Sequence, residues 1–143
     1  LLVNASHEQL TATALADALP VDGVVVGWGS YTHVMGRQHR VAMLRVLREI
    51  CPRGPVLLSY FGRRYAAETR VDRLRLAVQA GLRVASLGRA HASEAGDSYV
   101  PDLGFCHVFS PQDIAEEGRQ AGYAVAYQGD PGAWYPHSVL RPV

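Results

Sequence analysis

The groups able to do chemistry in this sequence gather at the ends of two apolar runs. The stretch VDGVVVGWGSYTHV, Val21 to Val34, begins as valine and glycine and then changes character. Trp28, Ser30, Tyr31, Thr32 and His33 crowd aromatic, hydroxyl and imidazole groups at its far end. Imidazole titrates near neutrality, so His33 suits a general base that takes a proton from a hydroxyl. A loop histidine satisfied by backbone has the same local sequence. Glycine lets backbone approach a ligand and indole gives a stacking wall, which makes Gly27, Trp28 and Gly29 one side of a cleft. A tryptophan packed under a helix is the competing reading. A second run, PVLLSYFG, ends in Tyr60 and Phe61, followed at once by Arg63 and Arg64. Guanidinium forks hold planar carboxylates or phosphates, although a solvated turn has the same composition. His107, in FCHVF, is a further candidate just ahead of a capped helix.

Other chemistries find no support. His7, His39, His91 and His137 form no pattern with one another or with acids, and His33 and His39 lack zinc-helix spacing, so no metal is expected. All fourteen basic residues are arginine, which excludes a Schiff-base or phosphate-loop lysine in these 143 residues. A net charge of +1 gives no reason to expect nucleic acid or an anionic membrane as partner. No apolar run reaches the ~20 residues of a membrane span. Cys51 and Cys106 show no ligand spacing and read as small buried side chains in a reducing compartment, the cytoplasm.

The elements that position these groups follow from periodicity. Leu1 to Ala5 reads as a short strand. Ser6 and Gln9 have capping-box spacing for a helix from about His7 to Leu19, stopped by Pro20. Val21 to Trp28 reads as a strand covered on both faces, because its run is almost continuously apolar. His39 to Cys51 is an amphipathic helix with Met43, Val46, Leu47 and Ile50 on one face and Arg45, Arg48 and Glu49 opposite. The second strand follows, completing a βαβ unit. Another helix is expected over Glu68 to Leu82, then a long turn-rich connection, Gly88 to Gly104. Ser110, Pro111 and Asp113 start a helix that Gly122 ends, with Ile114, Gly118 and Ala121 inward. Two last strands around Asp130-Pro131-Gly132 make a hairpin at the sheet edge. The fold class is α/β, a single domain of parallel strands and helices closed by an antiparallel hairpin. Ligands in such sheets lie beyond the carboxyl ends of the strands, where the Trp28 to His33 cluster falls.

In that order and spacing the chain resembles the C-terminal half of a class I S-adenosylmethionine-dependent methyltransferase. VDGVVVGWGSYTHV looks like the family's fourth strand and its loop, and CPRGPVLLSYFG like the approach to its fifth. FCHVFSPQDIAEEGRQAGYAVAY is similar to the segment where an aromatic or His-Phe pair leads into a helix ending Ala-Gly-aromatic. The resemblance implies a partial Rossmann-like sheet from the strand order 3-2-1-4-5-7-6, with S-adenosylmethionine as cofactor. It implies that Gly27, Trp28 and Gly29 border the cofactor. Ser30, Tyr31, Tyr60, Arg63 and His107 would then face a small-molecule acceptor, with His33 as base. The family's glycine-rich loop after strand one, and the acidic residue after strand two, do not appear here. The fourth strand is therefore expected to have an open edge, covered by a preceding segment or a second copy. Methyl transfer needs alignment more than covalent help, which fits the lack of a catalytic triad. A methyltransferase-like domain kept for binding or assembly, without activity, is the alternative; an unrelated doubly wound domain fits the terminal hairpin less well.

Overall fold

A computed structural model describes residues 20–62, 94, 96–100 and 104–143. The strand expected over residues 1–5, the helices expected over 7–19 and 68–82, and Arg63 and Arg64 lie outside the described residues. Strand β1, Val24–Val26, leads through a 3-10 turn, Ser30–His33, into helix α1, Arg37–Ile50. Strand β2, Val56–Ser59, and β3, Phe61–Gly62, follow as one line of chain interrupted at Tyr60. Then come β4, Asp97–Val100; β5, Gly104–Phe109; α2, Pro111–Gln120; β6, Tyr123–Gln128; and β7, His137–Pro142.

The main sheet runs β1-β2-β7-β6. β1 and β2 are parallel, with Val25 opposite Leu57, while β7 lies antiparallel between β2 and β6. This is the 4-5-7-6 run that the family resemblance implies. The last two strands do form a hairpin, but the later of them turns inward to pair with β2, leaving β6 at the edge. A second sheet, β3-β5-β4, springs from the tip of β2. Its β4–β5 hairpin occupies part of the stretch expected to be a long connection.

Both helices lie on one face of the main sheet. Leu44, Leu47, Ile50 and Cys51 of the α1 side meet Val26, Val56, Leu58 and Leu140 of the strands, with Ile114, Ala121 and Tyr123 closing the core. The inward stripe of α1 is thus centred on Arg40, Leu44, Leu47 and Cys51, with Met43 and Val46 only half-buried. Arg48 is not a solvated charge either. Its guanidinium donates to the Gly122 and Val143 carbonyls and clamps the chain end onto α1. On α2, Gly118 faces Leu140, where a β-carbon would make ordinary contact at 3.4 Å from Cδ2. Ser110 caps that helix and closes a reciprocal box with Asp113. The opposite sheet face differs from the expectation of cover on both sides. Val25 is 71% exposed, and β1 pairs with β2 alone among the described residues.

Candidate functional site

The turn after β1 is bound to the end of β2 by side chains. The Gly29 amide donates to Ser59 Oγ at 2.9 Å, and the Phe61 amide donates to Thr32 Oγ1 at 2.8 Å. Gly29 has a left-handed φ of 70° and lies under the Phe61 ring, where a β-carbon would come within 2.6 Å of Cε1. Only glycine fits both demands. Ser30 Oγ donates to the Gly27 carbonyl at 2.6 Å and tightens the turn. Trp28 is 95% exposed with φ 58°, so the reading of a tryptophan packed under a helix does not hold.

His33 ends the turn on the surface. Its Nδ1 lies 2.8 Å from the Phe105 carbonyl on β5. A carbonyl only accepts, so Nδ1 donates its proton to it, and in the neutral ring the lone pair then lies on Nε2. Edge contact with Phe61, centroids 5.8 Å apart, fixes the ring plane. Cys106 Sγ lies 3.9 Å from the same nitrogen, yet burial pushes its thiol up, which leaves it a protonated neighbour rather than a nucleophile.

Three expected substrate-side residues lie elsewhere. Tyr31 is fully buried and donates its hydroxyl to Glu117 Oε2 at 2.7 Å. Burial, then the charge of Glu117, holds that phenol well above its ordinary value. Tyr60 is buried too, with Gln128 and Ser138 donating to its hydroxyl. It lines a cavity of about 90 Å³ together with Phe109, Pro131 and Pro136. His107 is buried on β5, its Nδ1 2.6 Å from Asp97 Oδ1.

Tyr31 and His107 belong to a charged network that periodicity alone did not reveal. Arg40 forks onto Glu117, with Nε at 3.0 Å and Nη2 at 2.7 Å from Oε1. Its Nη2 also donates to Glu94 Oε2 at 2.6 Å. Burial works against the Arg40 charge, but its hydrogen bonds to these two carboxylates outweigh it and raise the guanidinium above its usual value. Glu94 further accepts from the Arg37 amide, and its own amide donates to Asp97 Oδ2 at 2.6 Å. Glu94, Asp97 and His107 place one ligand atom each within 4.8 Å of the others. The Arg40 guanidinium already stands where a cation would balance Glu94. The signal was present in the sequence. Arg40 shares a helical stripe with Leu44 and Leu47, and Glu117 lies between Ile114 and Gly118, so opposite charges sit at two core-facing positions.

A larger hollow of about 460 Å³, lined by Asp22, Arg53, Pro20 and Pro55, opens at the amino ends of β1 and β2, away from His33. No described helix is long and apolar enough to cross a membrane.

No protein-family model matches this sequence, and no curated protein does. Solved structures do. The CcbJ methyltransferase of Streptomyces caelestis superposes with a TM-score of 0.58 at 10% identity over 87% of this chain. An S-adenosylmethionine-dependent methyltransferase of Methanosarcina mazei gives 0.61 at 14% identity, again over 87%. The chain spans 58% and 60% of those two proteins. It has the class I methyltransferase fold in part: strands four to seven of the sheet, in that fold's order.

Proposed function

We propose that this chain forms the carboxyl-side part of an S-adenosylmethionine-dependent methyltransferase acting on a small molecule, with His33 as the general base. The observation that carries the reading is the imidazole itself. It stands on the exposed turn after β1 with Nδ1 tied to the Phe105 carbonyl, which in the neutral ring leaves Nε2 to accept a proton. The residues here fit one wall of a cofactor site. The space over Gly27 is open, a β-carbon there meeting only Val25 Cγ1 at 3.9 Å, and the Trp28 ring beside it is exposed for stacking on a purine. Bound S-adenosylmethionine supplies a methyl group already activated by a positive sulfur. The chain's own part is to hold the acceptor oxygen in line and to receive its proton on His33 Nε2.

The test uses the protein that carries this chain. Calorimetric titration with S-adenosylmethionine should give saturable binding, unchanged within about twofold in His33→Ala. Turnover of that variant should fall by about 100-fold or more, the usual contribution of a positioned base. Absence of cofactor binding ends the methyl-transfer reading and favours a domain retained for assembly. Unchanged turnover with intact binding removes the base role from His33.

A further inference from the structure

Resting on the methyl-transfer reading, we infer that the acceptor is a planar aromatic hydroxyl compound, a phenol, seated on an aromatic shelf that the β6–β7 connection brings beside His33. His137 of β7 pairs with Ser59 at the end of β2, so residues 129–136 cross the carboxyl edge of the parallel strands. The connection is seated there firmly. The Tyr60 amide donates to the Pro136 carbonyl at 3.2 Å. Gly62 lies so close beneath that a β-carbon would stand 3.0 Å from both the Pro131 oxygen and Pro136 Cγ. The turn is ordered from within, because Asp130 Oδ1 accepts from the Gly132 amide at 2.8 Å.

This seating lines up three rings. Tyr135 meets Phe61 with centroids 5.4 Å apart, and Phe61 meets His33 at 5.8 Å. Phe61 is buried, whereas Tyr135 is 45% exposed and Trp134, its neighbour, 57%. Tyr135 and Trp134 are two large exposed aromatics adjacent in sequence, and Tyr135 is linked to the His33 ring through Phe61. Together they offer a stacking platform for a flat ring. The one charge within residues 129–136 is Asp130, already turned into its own loop. Residues 129–136 therefore bring no cation of their own to a carboxylate or phosphate, and their surface suits an uncharged ring.

The proton chemistry selects the same class. A phenol of pKa about 10 gives up its proton to an imidazole far more readily than an aliphatic hydroxyl close to water in acidity. In the balanced step the phenolic oxygen forms the new C–O bond. The C–S bond of the methyl donor breaks with its electron pair left on sulfur, and the hydroxyl proton ends on His33 Nε2.

The experiment titrates the protein with 1-naphthol and with its saturated counterpart, decahydro-1-naphthol, by saturation-transfer NMR and calorimetry. S-adenosylmethionine affinity is measured on every variant. We expect saturable naphthol binding, at least about 10-fold weaker binding of the saturated alcohol, and losses of about 2- to 10-fold in Tyr135→Ala and Trp134→Ala. Tyr135→Phe, which keeps the ring, should retain binding, and melting curves confirm that each variant is folded. Equal binding of both alcohols, or naphthol binding indifferent to Tyr135→Ala in a folded protein, overturns the shelf. Cofactor binding that persists in that case leaves methyl transfer standing with another acceptor class. Naphthol bound at the shelf by a protein that ignores S-adenosylmethionine keeps the aromatic site and removes methyl transfer.

Discussion

At Trp28 a bulky side chain holds a left-handed backbone with its ring in solvent. Such a conformation costs an L-residue about 1–2 kcal/mol, and burial of the indole returns nothing here. Folding alone would place glycine at this position. Trp28→Gly should raise the unfolding free energy in urea titrations by about 1 kcal/mol. The same change should weaken S-adenosylmethionine binding by about 10-fold, on the scale of a lost base-stacking ring. A stabilised variant with full cofactor affinity would place the indole outside the cofactor wall. At this scale the sequence was only partly readable. The change of character after Val26 marked a turn, and His33 stands at its exposed end. Tyr31, two positions earlier, looks equally polar in the sequence, yet its partner Glu117 lies 86 positions away. No local pattern announces a hydrogen bond of that span.

Helix α2 was legible in detail, because Ser110, Pro111, Asp113 and Gly122 each do local work that capping chemistry dictates. The β4–β5 hairpin was not. Its strands are four and six residues long, and β5 is held by pairing to the two-residue β3, a contact that only the folded chain supplies. Between α1 and α2 the decisive element is the Arg40–Glu117 fork, which joins two otherwise apolar faces and reaches Glu94 ahead of β4. Removing one partner of a buried pair leaves the other uncompensated, at a cost of about 3–5 kcal/mol. Glu117→Gln keeps the shape and deletes the charge. It should lower the unfolding free energy by about 3 kcal/mol in denaturant titration, whereas a loss below 1 kcal/mol would mean that Glu94 alone neutralises Arg40.

For the molecule as a whole, the sheet order β1-β2-β7-β6 is the 4-5-7-6 run that the family resemblance implied. The exposure of Val25 did not follow, since a run of valines reads as buried whichever side it faces. Alkaline pH offers a global check. Tyr31 is held well above the ordinary phenol range by burial and by Glu117, and burial pushes Tyr123 up to about 12. The unfolded chain releases these protons near pH 10, while the fold retains them. Stability should therefore be level up to about pH 10 and fall as pH rises toward 12. Tyr123→Phe removes a buried hydroxyl that has no hydrogen-bond partner. The variant should be at least as stable as the parent at neutral pH, with a shallower alkaline decline in urea titrations at pH 8 to 11. An unchanged decline would assign it to other groups.

The turn carrying His33 is tethered at Ser59, at Phe61, at Glu117 and at the Phe105 carbonyl. Four ties on four residues leave the imidazole no swing. If His33 is the base proposed above, an acceptor must bring its oxygen to a fixed point, and choice among acceptors becomes a matter of reach. A docked ring whose hydroxyl falls an ångström short would then find no base to meet it, and such a site would measure its substrates as a ruler does.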